Sequence, residues 1–158
     1  MTTTDLYRVI PYDPAVHEDP VVFMWLRSFA RSRYGMQRRA FMSLEGVEDE
    51  ICFYDEMRPL ITALLGDSDT RLVVDAVNQS VIYGWSCDSV GRSLHHYLSI
   101  KRDVVKLGEA EEVFRLLVGD HTRARVTCTM EPKELYTLKL LPREWTVNYG
   151  HFGQVRAA

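Results

Sequence analysis

No apolar run in this chain approaches the roughly 20 residues that a membrane-spanning helix needs, so no membrane partner is expected. Cysteine is sparse. Cys52, Cys87 and Cys128 are the only three. Their odd number, their scatter and the lack of a CxxC pair exclude a disulfide framework and fit a reducing, intracellular setting. The opening MTTTDLYRVI has neither the basic stretch nor the apolar core of a secretory leader, which adds to a cytoplasmic expectation. There is no HxxxH and no Cys/His pair at ligand spacing, so no metal is expected. GxSxG and P-loop patterns are also missing. No repeat, low-complexity tract or linker interrupts the 158 residues, and one domain spanning 1–158 is expected.

The chain is 46% hydrophobic and 26% charged, ordinary for a globular protein that can bury a proper core. Its net charge of −3 argues against broad nucleic-acid binding. The charge is uneven, because Arg27, Arg31, Arg33, Arg38 and Arg39 gather in one early segment. These arginines can simply solvate a helix face. They can also hold an acidic substrate, a phosphate or a nucleic-acid backbone, or dock a partner with the help of Trp25, Phe29 and Tyr34. The acidic run VEDEICFYDE follows, so intramolecular pairing and head-to-tail self-association are both open.

Hydrophobic periodicity divides the chain into elements. Leu6 to Ile10 reads as a strand ended by Pro11 and Pro14. Asp19-Pro20 reads as a helix start, and the helix that follows has Phe23, Leu26 and Ala30 on one face, with Gly35 able to end it. Residues 36 to 47 read as a loop. Glu48 to Leu65 is helical, with Pro59 predicting a kink or two pieces and Gly66 an end. Three strands follow: RLVVDAV, then SVIYGWSCD with Tyr83 and Trp85 on one face, then SLHHYLSIKR. Asn78-Gln79 turns the chain between the first two. Gly84 marks a bulge or a close backbone approach. Glu109 to Val118 is a helix with Ala110, Val113, Phe114 and Leu117 on one face, ended by Gly119. ARVTCTM reads as a strand, Pro132 to Leu141 as a helix and WTVNYGHF as a last strand. The order β-α-α-β-β-β-α-β-α-β predicts an α/β (α+β) domain, a mixed central sheet with helices on both faces.

Leu94 to Leu117 carries the most chemistry. A strand runs into a short basic loop, and a Gly-x-Ala step opens the helix. Free N–H groups and the positive end of a helix dipole are presented there to an anion such as a pyrophosphate. Glu109, Glu111 and Glu112 occupy the same first turn. They oppose an anion, yet they also stabilise the helix with no ligand present.

The element order and four segments (FMWLRSFARS, VIYGWS, LHHYLSIKRDVVKLGEA and LYTLKLLPREW) resemble the GCN5-related N-acetyltransferase (GNAT) superfamily, and within it the short GNAT-like proteins of tailed-bacteriophage genomes. The likeness spans roughly residues 6 to 149. It implies a GNAT-like fold, acetyl-CoA as cofactor, an amine as acyl acceptor, and a host-cytoplasm or virion location. In such enzymes the pyrophosphate rests on Arg/Gln-x-x-Gly-x-Gly/Ala. Gly108 and Ala110 match the last two fixed positions, and Val105 stands at the first. Lys101, Arg102 or Lys106 would supply the missing charge. The cofactor-binding set implied is Leu98, Ser99, Ile100, Lys101, Lys106, Leu107, Gly108, Glu109 and Ala110, with the backbone of Leu98 to Ile100 on the pantetheine arm.

The resemblance also implies a tyrosine that protonates the departing thiolate, and Tyr136 falls there. A phenol with pKa of about 10 stays protonated at neutral pH and can donate. Thr129 replaces the family's usual asparagine, and Leu140-Leu141 its Gly-Phe pair. Tyr136 is equally readable as a core tyrosine. No carboxylate precedes Asp103 on SLHHYLSIKR, so His95 and His96 are the substitute bases. As strand neighbours they are expected on opposite faces. Cys87 and Cys128 read as buried and structural. Two functional classes follow: an N-acetyltransferase with a degenerate pyrophosphate loop, or an inactive GNAT-fold structural or interaction protein, for instance in a phage particle or its assembly.

Overall fold

The computed structural model describes residues 6–31, 36, 50–90, 94–101, 107–119 and 125–126. The elements are β1 (Tyr7–Pro11), α1 (Pro14–Ala30), α2 (Glu50–Asp67), β2 (Asp69–Asp75), β3 (Ile82–Asp88), β4 (Leu94–Ile100), α3 (Leu107–Val118) and β5 (Arg125–Val126). They form a mixed α+β fold around one sheet in the order β1-β2-β3-β4-β5. Neighbours from β1 to β4 are antiparallel, and β5 joins β4 in parallel through Leu94↔Arg125 and His95↔Val126. The expected last helix and last strand lie outside the described residues.

Helices cover both faces. One core joins Val22, Trp25 and Leu26 of α1 and Phe53, Met57 and Ile61 of α2 to Leu72, Trp85 and Tyr97 of the sheet. The other joins Ala110, Val113, Phe114 and Leu117 of α3 to Tyr7, Val73 and Ile100. The four α3 positions are those its periodicity predicts. Gly119 ends that helix with φ of 59°, a left-handed position that suits glycine, and its N–H closes on the Arg115 carbonyl at 2.7 Å.

Two helix readings are corrected. α1 begins at Pro14, not at Asp19-Pro20. Asp13 caps it, with Oδ1 accepting from the Ala15 N–H at 3.0 Å. Pro20 sits inside the helix on its exposed side, where water can satisfy the Val16 carbonyl it leaves unpaired. Phe23 is half exposed, because the buried stripe runs through Val22, Trp25, Leu26 and Ala30. The Phe23 ring meets Tyr54 edge-on, centroids 6.4 Å apart. Of the two alternatives at Pro59, the two-piece one is corrected: α2 runs as one helix through the exposed Pro59.

The sheet carries two register shifts. Val73 pairs with Gly84 but Val74 with Ile82, so Tyr83 is an extra residue on β3. The bulge puts Tyr83 against the α3 core, whereas Trp85 lies in the opposite one. The expectation that they share a face fails for this reason. Both readings of Gly84 hold. A Cβ there would lie 2.8 Å from the Ser99 carbonyl oxygen and 2.9 Å from Val113 Cγ1, so α3 needs the missing side chain in order to pack. The second shift pairs Cys87 with Tyr97 but Asp88 with His95, leaving His96 as the extra residue on β4.

β1 is the sheet's edge among the described residues. Leu6 and Tyr12 bond to β2 through their backbones. By alternation, the main-chain groups of Tyr7, Val9 and Pro11 point away from the sheet. Pro11 has no N–H to offer there.

Candidate functional site

α3 starts at Leu107, so Gly108 is inside the first helical turn and the turn from β4 lies outside the described residues. The first four N–H groups of α3, from Leu107 to Ala110, have no intrahelical acceptor. They stand at the end of the sheet where β1 starts, β2 ends, β3 starts and β4 ends. The Lys101 N–H bonds the Tyr83 carbonyl there at 2.8 Å, and Tyr83 meets Tyr7 edge-on with centroids 5.1 Å apart.

The Tyr7 hydroxyl and the Glu109 carboxylate face each other at the start of α3. Burial first, then the charge of Glu109, raises the Tyr7 hydroxyl above its ordinary pKa, with Tyr83 and Glu112 adding to the effect. The Tyr83 hydroxyl donates to Asp75 Oδ2 at 3.0 Å. Asp75 Oδ1 accepts from the N–H groups of Asn78 at 2.7 Å and Val77 at 2.9 Å. Those two bonds, Asn78 first, and then the Tyr83 hydroxyl hold Asp75 below the usual carboxylate range. Burial and the bond to Asp75 push Tyr83 up. Glu109 therefore faces β1 from the start of α3, while Glu111 pairs with Arg115 one turn on, Oε1 to Nη2 at 2.7 Å.

Ala110 is buried against the sheet, and Ile100 and Leu98 face the same core. Ser99 lies opposite Trp85 on β3. His96 is buried. The side chain of His95 is outside the described residues, as are Lys106, Arg102, Val105 and Tyr136. Because His96 is the bulge residue, simple alternation no longer relates it to His95. Arg27 on α1 and Arg31 just past its end are exposed. Arg33, Arg38 and Arg39 lie outside the described residues.

Cys87 is buried and free, and burial pushes its thiol up to about 11, so at neutral pH it is an inert core group. Among the described residues no helix is long and apolar enough to cross a membrane. Among them, too, no three His, Cys, Asp or Glu side chains are placed to hold a metal. Periodicity could not reveal that Tyr7 and Glu109 face each other, since the two are far apart in sequence. The signal that could have found it is a tyrosine beside an apolar strand position facing a first-turn glutamate. No family model, curated protein or solved structure matches this chain.

Proposed function

We propose that this chain is an acyl-CoA-dependent N-acetyltransferase of the GCN5-related type, taking acetyl-CoA and an amine acceptor. One observation carries the reading: the parallel β4–α3–β5 unit, which sets the open N-terminal turn of α3 beside the carboxyl end of β4. Ligands of open sheets bind outside such strand ends, and phosphates favour such helix starts. The residues fit a pyrophosphate at the level of the backbone. Leu107, Gly108, Glu109 and Ala110 would contribute backbone donors, and the Glu109 carboxylate faces Tyr7. Lys101, with Lys106, would balance the phosphate charge. Leu98, Ser99 and Ile100 would align the pantetheine arm. When bound, acetyl-CoA supplies an activated acyl carbonyl. Tyr136 would protonate the departing sulfur, and His96 or His95 would take the proton from the acceptor ammonium.

A second reading has its own support. The proximity of Glu109 to Tyr7 gives the first-turn acid a structural role that needs no ligand, and Val105 lacks the charge expected at that position. Both suit a GNAT-fold module without activity. Thermal melting with and without 1 mM acetyl-CoA separates the two. The enzymatic reading expects a rise, since a ligand at 100 times its Kd adds about 2.7 kcal/mol, and a larger rise for Glu109→Gln. An unchanged melting temperature in both proteins establishes the inactive module.

A further inference from the structure

A groove with a volume of about 420 Å³ opens between the end of β1, the start of α1 and the end of α2. It lies at the opposite end of β1 from Tyr7, and so from the turn discussed above. That volume is in the range of small-molecule sites. Its wall carries Tyr12, Pro14, Glu18, Thr62, Gly66 and Asp69, and among the described residues no Lys, Arg or His lines it. Asp69 is already engaged, with Oδ2 3.3 Å from Arg71 Nη2. Glu18 is half-buried and has no ion pair among the described residues. Its charge reaches the Tyr12 hydroxyl, whose pKa burial raises first and Glu18 next.

The backbone adds to the same sign. The last four carbonyls of α2 lack intrahelical donors and carry the negative end of the helix dipole. The last turn of α2 has no basic side chain to answer them. Gly66 lies in that turn, and a Cβ there would meet nothing within 4 Å. The space beside Gly66 is therefore open.

A half-buried carboxylate without a partner is unfavourable, and a cation entering the groove would relieve it. An anion would be repelled. A bare metal ion would want several oxygen ligands, whereas the wall offers one uncommitted carboxylate. An aromatic wall suits an organic cation. We propose that this groove binds a small primary alkylammonium ion, held by Glu18, the Tyr12 ring and the terminal carbonyls of α2. The site is independent of the acetyltransferase reading.

The test is a titration of the ¹⁵N-labelled full chain with n-butylammonium chloride, with 1-butanol as the neutral control. Saturable shifts confined to amides of residues 12–18 and 62–70 are expected, with none from 1-butanol. Glu18→Gln should weaken binding at least about tenfold, the weight of one charge-assisted hydrogen bond. Gly66→Lys should place the chain's own ammonium in the groove and abolish the titration while the fold is kept. Equal shifts with 1-butanol, shifts scattered over the surface, or unchanged affinity in both variants would overturn the proposal.

Discussion

The two faces of the sheet are packed by different means. On the α1/α2 face, bulk does the work. Trp25 stacks on Tyr97 at 4.8 Å, and Trp85 meets both rings, at 5.9 Å from Trp25 and 4.6 Å from Tyr97. On the α3 face, closeness does it. Gly84 lets Val113 and Leu117 approach the backbone, Tyr83 ties β3 to the end of β2 through Asp75, and Glu109 at the helix start faces Tyr7. The first face should tolerate polar change badly but small shifts well. The second should fail on adding a single methyl group.

The largest effect is expected where bulk is removed. Trp85→Ala should lower stability by about 3–5 kcal/mol in urea denaturation. Gly84→Ala comes next, at about 1–3 kcal/mol, the usual range for overpacking. Val113→Ala in the same chain should restore only part of the loss, because Val113 can yield and the Ser99 carbonyl cannot. Full tolerance of Gly84→Ala would erase the contrast between the faces. Smaller again is Tyr7→Phe, at up to about 1 kcal/mol for one partly solvated hydroxyl–carboxylate contact. Its distinctive readout is faster hydrogen exchange in the first turn of α3.

Alkali and acid also sort the faces. Tyr7 and Tyr83 have raised pKa values on the α3 face, and Cys87 is raised to about 11 on the other. A raised folded-state value means stability that is complete below the ordinary pKa and lost as pH climbs through the raised one. Stability should therefore fall above about pH 9, first through the Cys87 window and then through the tyrosines. Cys87→Ala should remove the earlier part of that fall. Asp75 is lowered, so its contribution is present above about pH 4 and fades as pH drops further. Asp75→Asn should flatten that acid limb. The smallest effect belongs to Arg115→Ala, within about 0.5 kcal/mol for an exposed i,i+4 pair.

The sequence made α3 legible through its 3.6-residue period, and Gly84 legible as an anomaly within a strand. It misplaced Tyr83 because one inserted residue inverts everything beyond it, and no local pattern marks which residue will bulge. It misjudged α1 because Asp19-Pro20 imitates a helix start more strongly than Asp13-Pro14, although only the latter precedes the first turn. At the candidate site, Gly108 and Ala110 are singled out by the resemblance alone. What Glu109 faces could not be read, since that depends on β1 lying two strands from β3 in the finished sheet.

Pro11 on the outer rim of β1 has a consequence for life at high concentration. A second molecule arriving strand-first would find main-chain donors at Tyr7 and Val9 and then a ring where the next should be. Such an encounter cannot lengthen into a continuous intermolecular ladder, so on this side the protein is built to stay apart from its neighbours.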